Sequence, residues 1–183
     1  LIVTAILMDA IEIAKIAIMC YRSDDPTTWH NHLPLFLCSI QLITIPLAAL
    51  AKGRLKEAAL DFVLIFGILG AVLGTYGATQ NYNAYPVLSF DNVVSGLTHG
   101  ISGFASLYLL FAAMATLNKK NISITFGILF FFCTVAYIAN VLIPYNYMFL
   151  MAGDGTPYDI LYNLVGGSKV FYPLGVVLLF VLY

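Results

Sequence analysis

The sequence predicts an all-α fold, a polytopic bundle of at least six membrane-spanning helices, and three observations predict it. The 183 residues are 61% hydrophobic and only 9% charged. Soluble domains are about a quarter charged, so this chain has too little polar surface to cover a soluble globule. The apolar residues fall into runs near the 20 or so that a helix needs to cross a bilayer core. The alternation of a transmembrane barrel strand is absent, which leaves helices as the spanning element. The whole of 1–183 is expected to form a single integral membrane domain.

Six segments carry this expectation. They are Leu1 to about Tyr21, Leu33–Ala51, about Ala58 to Ala78, about Asn92 to Leu117, Ile122 to about Pro144, and Val170 to Tyr183. A short helix over Tyr158–Val165 is expected before the last. In the second segment, Pro34 suits a first helical turn, because its missing N–H is not needed there. Cys38 then falls about one turn inside, near the positive end of the helix dipole, where a thiolate is favoured. Both chain ends lie inside apolar runs, so a further helix is expected beyond one of them.

The loops set an orientation. Lys52, Arg54, Lys56, Lys119 and Lys120 lie on one side, against Arg22 and Lys169 on the other. The positive-inside rule makes the Lys52–Lys56 and Lys119–Lys120 loops cytoplasmic, in the cell membrane. The loops 22–32, 79–91 and 145–169 then face outward. The Asn121-Ile122-Ser123 sequon lies on the inner side and is discounted for glycosylation. A net charge of −1 supplies no basic field for nucleic acid. Three cysteines make no disulfide framework.

Two stripes of small residues are expected to pack. The third segment has Gly67, Gly70, Gly74 and Gly77 at spacings of three and four. The fourth has Ser95, His99, Ser102 and Ser106, flanked by Gly96 and Gly103. Small residues let helix backbones approach closely.

Ionisable groups at membrane depth are costly and face the bundle interior. Asp9, Glu12 and Lys15 share one side of the first helix. They read either as a self-neutralising structural cluster or as the polar wall of a site or an ion path. Orientation places Cys38 and His99 in the same outer leaflet. His99 lies some seven residues into its helix, roughly 10 Å deep at about 1.5 Å per residue. Gln41, Asn140 and Lys15 fall at a similar level. A cysteine and a histidine within reach make a nucleophile and its base. Without the histidine, a buried cysteine is a small hydrophobe, which is the reading for Cys20 and Cys133. His30, His32, Asp24, Asp25 and Asp91 do not form a recognisable ligand set, and neither do Asp154 and Asp159. No metal or cofactor is expected.

Three motifs carry a family resemblance. The run Leu33-Pro34-Leu35-Phe36-Leu37-Cys38-Ser39 resembles the Leu-Pro-Leu-His-Leu-Cys opening of the bacterial YwaF-like integral membrane proteins. Thr98-His99-Gly100 resembles that family's Ser-His-Gly. Asn146-Tyr147-Met148-Phe149-Leu150, followed by Pro157 and Tyr172-Pro173, is similar to its asparagine-tyrosine signature. Order and spacing agree from Leu33 to Pro173. That family looks related to eukaryotic transmembrane acyltransferases of ether phospholipids. Carried over by position, the resemblance implies that Cys38 and His99 are the catalytic pair. Phe36 departs from the pattern, since the family has a histidine there, and His32 does not match its position.

The expected activity is therefore acyl transfer on a membrane phospholipid or lysophospholipid in the outer leaflet. Gln41 or Asn140 would bind the oxyanion, and Asn146 and Tyr147 would meet a headgroup at the rim. A rival reading is a transporter or ion-coupled protein working through Asp9, Glu12 and Lys15. A third is a non-catalytic scaffold subunit that packs on a membrane protein partner or a second copy. Catalysis demands Cys38 beside His99, whereas transport predicts a polar cavity reaching the charges of the first helix.

Overall fold

The computed structural model describes residues 1–76 and 86–183. Within them the chain folds into seven α-helices joined by short 3₁₀ turns, with no strand. The helices are α1 (Ile2–Arg22), α2 (Gln41–Leu50), α3 (Gly53–Tyr76), α4 (Phe90–Phe111), α5 (Ile122–Leu142), α6 (Tyr158–Leu164) and α7 (Phe171–Leu182). Each of the six expected segments holds a helix, and the short helix before the last is α6. The fold is a polytopic α-helical bundle.

Among the described residues, three helices are both long and apolar enough to cross a membrane, over Gly53–Thr75, Phe90–Phe111 and Lys119–Leu142. α1 has 21 residues, enough length to span, but carries Asp9, Glu12 and Lys15. α2 and α7 are shorter apolar helices.

The second segment departs from expectation. Its α-helix starts at Gln41 rather than at Pro34, so Cys38 sits in the turns before the helix and not inside its first turn. Leu33 is extended, with φ −61° and ψ 138°. That follows from Pro34, whose ring disfavours the α region for the residue before it. The chain then descends through tight turns, with Ile40 N bonded to Phe36 O at 2.9 Å and Gln41 N to Cys38 O at 3.3 Å. An apolar run of helical length does not distinguish these turns from a helix.

The described chain forms two compact units, Leu1–Thr125 and Phe126–Tyr183. In the first, α3 is the central helix. It packs against both α2 and α4, while α1 packs against α2 and α4. Ala58, Ala59, Phe62 and Val63 of α3 are fully buried. The Ser89 hydroxyl caps α4 by accepting from Asn92 N at 3.3 Å, and Asp91 in the first turn suits the positive end of the dipole.

The two basic loops meet at the opposite end of α3. Arg54 donates to the Lys120 carbonyl. The Asn121 amide donates to Glu57 at 3.0 Å, and Asn121 is fully buried. Asp61 accepts from the amides of Thr116 and Leu117 at 3.1 and 2.9 Å, which ties the connection between α4 and α5 to α3. Burial removes Asn121 from the reach of a glycosylating enzyme, a second reason to discount its sequon.

In the second unit α6 packs against α7. The Tyr162 and Tyr172 rings meet edge to face at 5.0 Å. The 3₁₀ turn Tyr147–Phe149 follows α5, with Met148 and Phe149 at positive φ of 54° and 55°. Non-glycine residues seldom adopt this conformation, and the hydrogen bonds described below hold it.

Candidate functional site

The glycine stripe of α3 is the floor on which Cys38 and His99 lie. A Cβ at Gly70 would stand 3.1 Å from the Cys38 Cα and 3.3 Å from its Cβ. A Cβ at Gly74 would overlap the imidazole of His99. One turn deeper, a Cβ at Gly67 would overlap the Ser106 hydroxyl and stand 3.6 Å from the Gln41 amide carbon. Only glycine leaves room for these three approaches. Gly77, the fourth member of the stripe, lies outside the described residues.

The stripe brings the two chemically important residues together from different elements. The Cys38 thiol and the His99 imidazole face each other closely enough for a side-chain hydrogen-bond interaction. Both residues are partly exposed. The Ser39 hydroxyl lies 3.9 Å from the Cys38 sulfur. A thiol and an imidazole side by side, with some access from outside, are the parts from which a nucleophile and its base can be built.

Beneath this pair is a polar layer. Gln41 is fully buried. Its Oε1 accepts from the Thr44 hydroxyl at 3.0 Å, and its Nε2 has no hydrogen-bond partner. Ser106 donates to the Val63 carbonyl of α3 at 2.8 Å, a bond between helices made possible by the close approach at Gly67. Ser102, one turn from His99, is 1% exposed, and its hydroxyl has no partner.

The charges of α1 belong to the same unit. Ala5, Met8, Glu12 and Lys15 form its buried stripe. Lys15 pairs with Glu12 at 2.6 Å. Asp9 Oδ1 is buried without a partner. The Lys15 charge acts on both His99 and His32. Burial holds His32 below its ordinary 6.5; Lys15 adds to this effect, and Asp91 and Glu12 oppose it. His32 is therefore an electrostatic neighbour of the cluster despite its mismatch to the family pattern.

Asn140, Asn146 and Tyr147 lie in the second unit, where they organise one loop. The Asn140 amide donates to Tyr147 O at 3.0 Å, and its Oδ1 accepts from Tyr147 N at 2.7 Å. Asn146 donates to Ala152 O at 2.7 Å and to Asp154 Oδ2 at 2.6 Å, and accepts from Met151 N at 2.8 Å. Tyr147 is fully buried, not at a rim. Both ends of each asparagine amide are engaged by the loop itself, which gives these residues a structural employment. Of the two expected oxyanion donors, Gln41 alone has an amide N–H₂ without a partner.

Sequence reasoning treated the α3 glycines as general packing and gave Ser102 no role of its own. The available signal was the shared period. Gly67, Gly70 and Gly74 on one helix match His99, Ser102 and Ser106 on another, in antiparallel order.

Comparison with known proteins adds a family. No curated protein and no solved structure matches the chain. A family model described as the TMEM164 family matches residues 1–183, its full length. This chain belongs to the TMEM164 family, a family of transmembrane proteins.

Proposed function

We propose that this protein is a lipid acyltransferase that uses Cys38 as nucleophile and His99 as base. The observation that carries the reading is the contact of these two side chains on the Gly70–Gly74 floor, with both partly exposed. The resemblance to YwaF-like proteins and to ether-phospholipid acyltransferases points to the same two residues.

The chemistry balances without a cofactor. His99 takes the Cys38 proton. The thiolate attacks the carbonyl carbon of a phospholipid ester, and the carbonyl π electrons move to oxygen. Collapse expels the lysolipid alkoxide, which takes the proton back from His99 and leaves an acyl thioester on Cys38. A second lysolipid hydroxyl then gives its proton to His99 and attacks the thioester, and the Cys38 thiolate leaves. Contact between Arg54 and the Lys120 carbonyl puts the two basic loops at one end of the bundle. This supports a cytoplasmic position for both and an outer-leaflet site in the cell membrane.

The test is lipid analysis with the purified protein in phospholipid vesicles, together with a search for an acyl thioester on Cys38. Acyl exchange in the wild type, abolished in folded Cys38→Ala and His99→Ala, upholds the reading. A wild type that neither acylates itself nor moves acyl chains ends it.

One observation favours a second reading, ion coupling through Asp9, Glu12 and Lys15. It is the buried, unpartnered Asp9 Oδ1 beside a buried ion pair. Proton or sodium flux into vesicles, lost in Asp9→Asn, would support ion coupling.

A further inference from the structure

We infer that Gln41 Nε2 and Ser102 Oγ together form the oxyanion-binding site of the acyl-transfer centre. The inference rests on the Cys38–His99 reading and adds to it a second donor that the sequence did not single out.

Two buried donors without partners follow the reactive pair by about one helical turn each. Gln41 is three residues beyond Cys38 and Ser102 three beyond His99. The first is 0% and the second 1% exposed, and neither Gln41 Nε2 nor Ser102 Oγ has a hydrogen-bond partner. Leaving such groups unpaired costs stability, so a pair of them beside a nucleophile calls for a function. Their positions follow from the helix period. On α4, Ser102 shares a face with His99, which lies against Gly74, and with Ser106, which lies against Gly67. Between them along α4, Ser102 adjoins Gly103, whose Cβ would stand 3.0 Å from that of Ala71 on α3, the residue after Gly70, where Cys38 rests. Gln41 meets the same helix at Gly67. Its orientation is fixed from behind, because Thr44 holds Oε1 and leaves Nε2 free.

An acyl-transfer transition state calls for donors of this kind. The carbonyl oxygen gains its negative charge as the thiolate adds. Donors already held in a low-dielectric seam stabilise that charge without reorganising. A dedicated role as donors also accounts for a glutamine and a serine that are buried with a donor unpaired. The ligand class is an acyl ester, with its carbonyl oxygen turned inward and its chain left toward lipid.

The experiment compares two reactions at one sulfur. Wild type, Gln41→Met, Ser102→Ala and Ser102→Thr are placed in phosphatidylcholine vesicles carrying a trace of fluorescent-acyl phosphatidylcholine. The rate of acyl-thioester formation on Cys38 is measured beside the rate of its alkylation by iodoacetamide, a displacement that builds no oxyanion. Gln41→Met and Ser102→Ala should each slow acylation roughly 100-fold. Alkylation should stay within about twofold of wild type, and Ser102→Thr, which keeps the hydroxyl, should retain most of the acylation rate. If both variants acylate at the wild-type rate, or if alkylation falls in step with acylation, the inference is overturned while the Cys38–His99 reading stands. If the wild type forms no thioester, that reading falls and takes this inference with it.

Discussion

His99 lies so close to Gly74 that a single methyl group on the glycine would overlap the imidazole ring. One turn along α3, a Cβ at Gly70 would stand 3.1 Å from the Cys38 Cα, a tight approach to the main chain. Two glycines thus set the distance between a thiol and an imidazole that come from separate elements. The contacts differ in kind, because one glycine faces a side chain and the other a main chain.

That difference makes the first prediction. Gly74→Ala should destabilise the protein by about 1–3 kcal/mol, the usual cost of overpacking, and should slow alkylation of Cys38. Adding His99→Ala should remove most of the cost, since the methyl then meets empty space. Gly70→Ala should show no such relief from Cys38→Ala, because its Cβ meets the Cys38 Cα and Cβ, which alanine keeps. A pair of double-mutant cycles measured by denaturant unfolding in mixed micelles checks both.

The Glu12–Lys15 pair is buried on both sides. Glu12→Gln leaves the Lys15 ammonium with no compensating charge at 2.6 Å and should cost about 3 kcal/mol. Glu12→Gln combined with Lys15→Met should recover most of that loss. If ion flux also survives in the double variant, the pair is structural and not part of a transport path.

His32 should confer acid sensitivity on the fold. Its protonation in the folded state is pushed below 6.5 by burial and by Lys15 of α1, against the opposing charges of Glu12 and Asp91. The unfolded chain therefore takes up this proton first as pH falls. Its contribution is neutral above about 6.5, becomes increasingly destabilising below that value, and levels off at its full cost below the folded-state pKa. Thermal unfolding between about pH 5 and 8 should lose stability toward acid, and His32→Gln should flatten that slope.

Asn140→Ala should loosen the turn after α5. It removes the acceptor for Tyr147 N and the donor to Tyr147 O, both buried, at a cost of about 1–3 kcal/mol. Amide exchange at residues 146–150 should accelerate. Wild-type exchange there would mean that the bonds carry no stability.

The gross architecture was legible because the hydrophobic requirement of a spanning helix is a local property. α1, α5 and α7 lie within a few residues of where apolar length alone places them, whereas α3 begins earlier, at Gly53, and α4 ends at Phe111, short of the expected Leu117. The second segment was misjudged for a related reason. Hydrophobic length does not distinguish a helix from a series of tight turns, and the extended Leu33 before Pro34 delays α2 to Gln41.

The site divides along the same line. Composition and period by themselves determined that this is a helical membrane protein. Helix offsets of three and four determined which residues of each helix share a face. Those offsets put Gln41 below Cys38 and Ser102 below His99. Partner choice between helices was decided only by the tertiary structure. The seam between α3 and α4 set Gly74 against His99 and Ser106 against Val63, and the turns that lead into α2 set Cys38 against Gly70 of α3. Asn140 shows the limit from the other side. Its depth suggested a donor for substrate, and the fold used both ends of its amide on Tyr147. The physical reason is that periodicity is a property of one helix, whereas a hydrogen bond or a close approach depends on the rotation of two helices about their axes. That rotation is set by which small residues let backbones meet, and a chain with several such stripes admits more than one pairing until it folds.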